Sequence, residues 1–347
     1  MAFQFFAHDL GIDLGTANVL IYADSKGVVV REPSVVAVDK NTGRILQVGA
    51  AARNMLGRTP GNVVAMHPLK DGVISNHEMT VQLLQTLFRT ATKSGLFTPK
   101  PRVVISVPSG ITEVEERTVI NAAIEAGARR VYLIEEPLAA GLGANLDISR
   151  PNGHMVIDIG AGTTDIAVLS LNGIAASSSL KLAGNAFDEA IIKRMRRKFN
   201  LVIGKTTAED VKIQLGCVYP RREELSMVIR GRDAKNGTPR ELEVLSSEVY
   251  DILQKPVRQL VEEVISVLED TSPELVGDVA TNGITLTGGS SQLWGMDLLL
   301  QEKTGIVCRV ADDPDSCVAY GCGKSLAWIH KMNEGPINVE KRRIMRG

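Results

Sequence analysis

Two short segments of this chain repeat one pattern, and that repetition constrains the fold more than any other feature. Residues 11–18 read Gly-Ile-Asp-Leu-Gly-Thr-Ala-Asn, and residues 156–165 read Val-Ile-Asp-Ile-Gly-Ala-Gly-Thr-Thr-Asp. Glycine in a turn lets backbone N–H groups approach phosphate oxygens closely, and threonine hydroxyls add donors at the same place. One such segment is ordinary turn chemistry. Two of them predict a chain that holds a nucleotide between two similar halves.

Each copy also carries an aspartate at the end of its apolar run, Asp13 in the first and Asp158 in the second. A carboxylate does not bind a phosphate directly, but it can hold Mg²⁺ or the water shell of that ion. We therefore predict that Asp13 and Asp158 organise Mg²⁺, through water, beside the phosphates of the nucleotide.

Length and charge agree with a nucleotide-binding protein of two domains and argue against several other classes. A chain of 347 residues is long enough for about two cores. Its 39 basic and 40 acidic residues carry no electrostatic signature of nucleic-acid binding. No apolar run approaches the ~20 residues of a membrane span, and the first ten residues lack a basic region and a cleavage site. We expect a protein that is neither secreted nor transmembrane. The cysteines form no C-x-x-C pair, so neither zinc nor a disulfide framework is indicated: Cys217, Cys308, Cys317 and Cys322.

Strands and helices alternate in both halves, which predicts an α/β fold. In the first half we expect a helix over 79–92, a strand over 102–107, and a helix that opens at the capping sequence Thr112-x-x-Glu115 and ends at Gly127. The segment 33–61, rich in proline and glycine, predicts a small appended subdomain.

The second half follows the same plan, again with an appended subdomain. We expect helices over 186–200 and 205–215, the latter opening at Thr206-x-x-Glu209. A hairpin should follow over 225–245, with a two-residue turn at Asn236-Gly237. The long helix over 246–270 contains Pro256, which should kink it or mark its true start.

Other nucleotide-binding motifs are incomplete. The sequence Gly-Cys-Gly-Lys-Ser at 321–325 resembles the end of a P-loop, but Val318 stands where the first glycine is needed, so we interpret it as a close helix contact. The Gly-x-Gly pairs at 141 and 160 are followed by Leu146 and Asp165 where a dinucleotide fold needs its third glycine.

Five elements in chain order resemble the ATPase fold of actin, heat-shock chaperones and sugar kinases. They are residues 13–16, the strand end at 107–108 with 135–137, and residues 158–164, 286–289 and 317–321. More narrowly, the chain is similar to the MreB/Mbl family of bacterial actins from about Leu10 to about Ala327. Five segments carry that closer resemblance: residues 12–22, 32–37 (Glu-Pro-Ser-Val-Val-Ala), 55–60 (Met-Leu-Gly-Arg-Thr-Pro), 71–74 (Asp-Gly-Val-Ile) and 127–131 (Gly-Ala-Arg-Arg-Val).

The resemblance implies an actin-like ATPase fold, with two related α/β domains around a nucleotide cleft, each with a small appended subdomain. It assigns 1–32, 66–145 and 310–347 to subdomain IA, 33–65 to IB, 146–181 and 246–309 to IIA, and 182–245 to IIB. ATP and Mg²⁺ are the implied ligands.

The resemblance also implies a set of nucleotide contacts. Phosphates would meet the two turns, the ribose and adenine would meet a helix, and the adenosine would lie against a third glycine turn. The implied residues are Thr16, Ala17 and Asn18; Gly160, Ala161, Gly162 and Thr163; Glu209, Asp210, Val211 and Lys212; and Gly288, Gly289, Ser290 and Ser291.

For catalysis, Glu136 matches the family position that orients the attacking water, with Thr163 as a second water-positioning group. Two residues depart from the family pattern, because Ala161 and Ser290 stand where glycine is usual. A methyl group at Ala161 requires a negative φ.

The resemblance implies a slow ATPase that polymerises into paired protofilaments on the inner face of the cytoplasmic membrane. There it would work with cell-wall synthesis proteins to maintain rod shape. Our candidate for the lateral contact is Val114, on the helix that opens at Thr112. Leu96 and Phe97 match the family's membrane-insertion loop. Phe3, Phe5 and Phe6 are apolar residues before the first strand, and we expect them to contact the membrane as well. Two alternatives on the same fold remain open: a sugar or small-molecule kinase, and a chaperone-like ATPase without its partner domain.

Overall fold

A computed structural model of the chain describes residues 9–24, 26–92 and 99–328. The five residues predicted to contact a membrane lie outside these ranges. The chain divides into two compact units. The first takes residues up to 151, 171–174 and those from 315 onwards, and the second takes 152–170 and 175–314.

The first unit begins with strands and gains its helices later. Its strands up to residue 151 are β1 (Leu10–Leu14), β2 (Asn18–Ala23), β3 (Gly27–Pro33), β4 (Val36–Asp39), β5 (Ile45–Val48), β6 (Val63–Met66), β7 (Leu69–Lys70), β8 (Val73–Ile74), β9 (Arg102–Val107) and β10 (Arg130–Glu135). Its helices in that range are α1 (Ala50–Arg53), α2 (His77–Thr92), α3 (Glu113–Ala126) and α4 (Glu136–Gly143).

The main sheet of this unit has the order β10-β9-β1-β2-β3, with β1 parallel to β9 and antiparallel to β2. Alternate residues of β1 enter the core, since Leu10, Ile12 and Leu14 pack with α2 and α3 side chains. Asp13 therefore projects from the opposite face of the sheet. The Thr112 capping box and the left-handed Gly127 that ends α3 are both present, as the sequence predicts.

The second unit repeats this construction. Its strands are β11 (His154–Ile159), β12 (Thr164–Ser170), β13 (Gly173–Leu180), β14 (Leu201–Val202), β15 (Ser226–Asp233), β16 (Pro239–Leu245), β17 (Ile284–Thr287) and β18 (Cys308–Val310). Its helices are α5 (Gly184–Phe199), α6 (Lys205–Leu215), α7 (Ser246–Glu269), α8 (Pro273–Asn282) and α9 (Met296–Thr304), and the chain then returns to the first unit in α10 (Cys317–Ser325).

Its main sheet has the order β13-β12-β11-β17-β18, in which β11 is antiparallel to β12 and parallel to β17. Met155, Ile157 and Ile159 of β11 enter the core, as the alternate residues of β1 do in the first unit. Asp158 lies on the other face, just as Asp13 does. The prediction of two related α/β halves is thus confirmed at the level of strand order and register.

Three local predictions need correction. The cap of α6 is Gly204 without a side-chain hydrogen bond, so Thr206 lies inside the helix instead of capping it. The turn between β15 and β16 has four residues between Asp233 and Thr238, because the Asp233 carboxylate accepts hydrogen bonds from the N–H groups of Lys235 and Asn236. Pro256 lies within a continuous α7 and does not start it, so only the alternative of a kink at Pro256 stays a prediction.

Two smaller sheets, β5-β4-β6 and β14-β15-β16, fall within the ranges predicted for the appended subdomains, apart from Met66. The division into four subdomains stays a prediction. Over the three described ranges, no helix combines the length and the apolar character needed to cross a bilayer.

Candidate nucleotide-binding site

In the first unit, the turn over residues 15–17 is anchored by hydrogen bonds to its carbonyl groups. The Ser34 hydroxyl donates to the Gly15 carbonyl over 2.6 Å, and the Ser34 N–H donates to the Ala17 carbonyl over 2.8 Å. A Cβ at Gly15 would lie 2.7 Å from the Asn18 carbonyl oxygen, so only glycine fits there. Thr16 Oγ1 accepts the Gly72 N–H over 3.0 Å. That bond uses the Thr16 hydroxyl as an acceptor and not its hydrogen.

Asp13 and Glu136 lie near the same buried thiol in this unit. The Cys322 thiol in α10 is buried, and burial raises its pKa well above the ordinary value. The negative charges of Asp13 and Glu136 raise this pKa further, which places both carboxylates beside Cys322. The structure thus brings together two of the predicted functional groups.

Glu136 is the first residue of α4 and is buried, with Pro137 following it in the first turn. A carboxylate there is stabilised by the helix dipole, and a buried position restricts its side chain. Its neighbour Glu135 accepts a hydrogen bond from the Ser109 hydroxyl over 3.0 Å, which gives it a structural partner. The two adjacent carboxylates therefore occupy different environments.

The sequence at 321–325 is a close helix contact, as predicted. A Cβ at Gly321 would lie 1.8 Å from the Ala139 carbonyl oxygen, and one at Gly143 would lie 1.8 Å from the Cys317 carbonyl oxygen. Helices α10 and α4 therefore meet backbone to backbone. This contact holds α4, which begins at Glu136, against α10, and α10 in turn packs on β1.

The turn of the second unit, residues 160–163, closes with a hydrogen bond from the Gly160 N–H to the Thr163 carbonyl over 3.0 Å. Thr163 is buried at its end, and Thr164 is anchored by donating to the Leu182 carbonyl over 2.7 Å. Ala161 keeps a negative φ, so its methyl group is accommodated without strain.

Asp158 is buried beside this turn and accepts a hydrogen bond from the Thr287 hydroxyl over 2.6 Å. Asp165 is its direct partner across the β11–β12 pair and is also buried. Sequence reasoning assigned no role to Asp165, although it closes the repeated motif. Two facing carboxylates repel each other unless a proton or a cation lies near them.

The carboxylates of the second unit fit the usual binding mode of Mg²⁺. Among the described residues, no group of three or more His, Cys, Asp or Glu side chains could hold a metal ion by itself. Mg²⁺ does not require such a cage, because it keeps several waters and binds one or two carboxylates together with phosphate oxygens. A buried carboxylate beside a phosphate-binding turn, such as Asp158, fits that mode.

The structure gives Lys212 a partner that sequence reasoning missed. Its Nζ lies 2.9 Å from Oδ1 of Asp188 and donates to the Gly184 carbonyl over 3.2 Å. Burial raises the pKa of Asp188, and the Lys212 charge opposes that rise. No local sequence signal marks this pair, because α5 and α6 bring the residues together only in the fold. Glu209 is half-buried, Asp210 is exposed, and the Val211 side chain lies in the core.

The third glycine turn follows β17 and forms a 3₁₀ helix over Gly289–Gln292. Gly288 has a φ of 80°, and a Cβ there would lie 2.4 Å from the Ile159 carbonyl oxygen. This residue must be glycine because β11 passes so close to it. Ser290 and Ser291 are both buried.

Comparison with solved structures defines the class of protein. The chain matches a crystal structure of MreB 5 of Spiroplasma citri bound to AMPPNP with a TM-score of 0.86 and 37% identity, covering 98% of both chains. It matches the MamK double helical filament with a TM-score of 0.79 and 26% identity, covering 92% of this chain and 98% of that one. The fold is that of the actin-like ATPases.

Comparison with sequences narrows the class to one family. The model of the MreB/Mbl protein family matches residues 7–334. The cell shape-determining protein Mbl of Bacillus subtilis (strain 168) is 49% identical over 329 residues, which cover 94% of this chain and 98% of Mbl. The chain belongs to the MreB/Mbl family.

Proposed function

We propose that this protein is an ATP-dependent cytoskeletal protein that forms filaments and helps to determine cell shape. One observation carries the proposal. In each unit an aspartate lies near the end of a central strand, β1 or β11, and a glycine turn anchored through its carbonyl groups follows. The strands of the two units also have the same order. The similarity to Mbl, whose name states a role in cell shape, supports the biological part.

ATP is the proposed nucleotide, in keeping with the AMPPNP bound to the Spiroplasma citri relative. In the first unit, the N–H groups of residues 16–18 and the Thr16 hydroxyl would contact phosphate. In the second unit, the turn over 160–163 would do the same, and the 3₁₀ turn after Gly288 would lie against the adenosine. Glu209 and Lys212 would approach the ribose and adenine, with Lys212 oriented by its pairing with Asp188.

Mg²⁺ is the proposed metal, held by Asp13 and Asp158 through water. When bound, the ion neutralises charge on the phosphates. Asp158 would accept hydrogen bonds from metal-bound water while Thr287 fixes the direction of its carboxylate. The facing Asp165 adds a second negative charge to the same place, which favours a cation there.

For hydrolysis, we propose that Glu136 orients the attacking water, with Thr163 as the second positioning group. Orientation of a reactant lowers the barrier because translational and rotational freedom is lost before the reaction. The backbone contact of α4 with α10, which begins one turn after Glu136 at Ala139, would restrict the position of Glu136. The resulting enzyme is a slow ATPase whose cycle is coupled to assembly.

The polymer would consist of paired protofilaments that lie on the inner face of the cytoplasmic membrane. The similarity to the MamK double helical filament supports self-association. Val114 is the proposed lateral contact, and it is 72% exposed on α3. Leu96, Phe97 and the N-terminal phenylalanines are the proposed membrane contacts, and cell-wall synthesis proteins are the proposed partners.

The test is to add Mg-ATP to the purified protein and follow light scattering and electron microscopy. We expect filaments with ATP and few without it. A protein that binds ATP but never polymerises, and that phosphorylates a small-molecule acceptor, would instead support the kinase alternative. No observation on the described residues favours that alternative.

A further inference from the structure

Two successive carbonyl groups of the turn over 160–163 accept hydrogen bonds from neighbouring segments of the second unit. The Gly160 carbonyl accepts the Ser290 hydroxyl over 2.7 Å and the Gly184 N–H over 3.2 Å. The Ala161 carbonyl accepts the Asn185 N–H over 2.8 Å. We refer to the three donors, Ser290, Gly184 and Asn185, as the carbonyl clamp.

Because the peptide bond is planar, holding a carbonyl group also fixes the direction of the N–H group on the opposite side of the turn. In a trans peptide, the carbonyl of one residue and the N–H of the next point in opposite directions within one plane. Fixing the Gly160 carbonyl therefore fixes the Ala161 N–H, and fixing the Ala161 carbonyl fixes the Gly162 N–H. Both N–H groups are directed away from the clamp.

We propose that Ser290 is a positioning residue that aims the N–H group of Ala161 at the phosphates. This inference rests on the proposed binding of ATP. The Ser290 hydroxyl acts through the Gly160 carbonyl and does not itself need to touch the nucleotide. Because it is the only side-chain donor in the clamp, it can be removed without changing the backbone.

The clamp also connects the two positions at which this chain departs from the glycine pattern of the family it resembles. A Cβ at Gly184 would lie 2.7 Å from Ser290 Oγ and 3.4 Å from the Cα of Ala161. Ser290 and Ala161 therefore both lie close to Gly184. The serine adds a hydrogen bond to the peptide that precedes Ala161, which restrains the turn.

The test compares Ser290→Ala, Ser290→Thr and a matched control in their binding of a fluorescent ATP analogue with Mg²⁺. The control is Thr271→Val, because Thr271 and Ser290 are both 7% exposed and Thr271 donates to the Val267 carbonyl over 2.6 Å in the same unit. Ser290→Ala and Thr271→Val each lose one buried hydroxyl that donates to a carbonyl, so general destabilisation is matched between them.

We expect Ser290→Ala to bind the ATP analogue about fivefold more weakly, in line with the loss of one hydrogen bond. Ser290→Thr should restore binding to within about twofold, and Thr271→Val should bind like the unmodified protein. Unchanged binding in Ser290→Ala, no restoration by Ser290→Thr, or an equal loss in Thr271→Val would overturn the positioning role. Failure of the unmodified protein to bind the analogue would instead overturn the proposed function on which this inference rests.

Discussion

Thr287 donates its hydroxyl hydrogen to Oδ1 of Asp158 over 2.6 Å, and the two residues are direct neighbours across the parallel pair of β11 and β17. Both side chains are buried. A hydrogen bond to the ionised form of a carboxylate favours that form and restricts its orientation. Thr287 therefore restricts the orientation of the Asp158 carboxylate beside the turn over 160–163.

Replacing Thr287 by valine should weaken the Mg²⁺ dependence of ATP binding while the fold persists. The change keeps the shape of the side chain and removes the donor, so the carboxylate loses the bond that orients it. We expect the Mg²⁺ concentration for half-maximal ATP binding to rise about threefold to tenfold. Thr285→Val is the control, because Thr285 lies two residues earlier in the same strand and opposite Val156. An equal effect of both changes would contradict the role of Thr287.

Glu136→Gln should bind ATP normally and hydrolyse it about 100-fold more slowly, the scale expected for a lost water-positioning carboxylate. Single-turnover hydrolysis and ATP affinity, measured on the same protein, separate the two effects. Glu135→Gln is a control from the adjacent residue, whose carboxylate contacts Ser109. If Glu136→Gln loses affinity while bound ATP still turns over at the original rate, then Glu136 is a structural residue at the start of α4.

The sequence predicts well whatever depends on residues close together in the chain. The repeated aspartate and glycine turns, the α3 cap at Thr112 and the α/β alternation follow from local pattern, and the structure has them. The pairing of Lys212 with Asp188 and the contact of Thr287 with Asp158 join residues 24 and 129 positions apart. No local pattern indicates such pairs, because only the packing of separate elements creates them.

Two local predictions, one of a turn and one of a helix cap, are wrong because of the residues that precede each motif. Asn236-Gly237 favours a two-residue turn, but the Asp233 side chain caps two following N–H groups and stabilises a longer one. Thr206 and Glu209 have the spacing of a capping box, yet Gly204 starts the helix two residues earlier. In both places a residue just before the motif determines the local structure: Asp233 sets the length of the turn, and Gly204 caps the helix.

Cys308 should make stability fall at alkaline pH. Burial, together with the negative charge of Asp297, raises the pKa of this thiol from 9.0 to about 12. Below pH 9 the thiol is protonated in both the folded and the unfolded chain, so its contribution is fully present. Above pH 9 the unfolded chain releases the proton first, which lowers the free energy of unfolding until the pKa near 12 is reached.

The measurement is urea unfolding of the unmodified protein and of Cys308→Ala between pH 7.5 and about 10.5, within the linkage treatment of one titrating group. The difference in unfolding free energy between the two proteins should be constant up to about pH 8 and then shrink with rising pH. A difference that stays constant across the range would show that Cys308 titrates alike in both states.

Val114→Asp should separate paired filaments into single ones without affecting the fold. Val114 is 72% exposed near the start of α3, so a charge there changes monomer stability by less than about 0.5 kcal/mol. The apolar contact between protofilaments would be lost because the charge cannot be desolvated there. Ile124→Asp is the control, since Ile124 is also exposed, at 44%, but points about 80° away around the same helix. Electron microscopy with ATP distinguishes single from paired filaments, and pairs that persist in Val114→Asp would place the lateral contact elsewhere.

Leu96→Ser combined with Phe97→Ser should reduce membrane binding while polymerisation continues. Both residues lie outside the described ranges, so this prediction rests on the sequence, in which Lys93 and Lys100 flank them. Insertion of the two side chains would contribute roughly 3 to 6 kcal/mol per subunit, at ~1.5 to 3 kcal/mol for each. That is weak for a monomer, but a filament presents many copies, so binding should depend on assembly.

Co-sedimentation with anionic liposomes after ATP addition measures the effect, and Leu171→Ser, which removes a leucine that is 64% exposed, is the control. Undiminished binding by the double variant would move the membrane contact to Phe3, Phe5 and Phe6, and deletion of those residues would then abolish it.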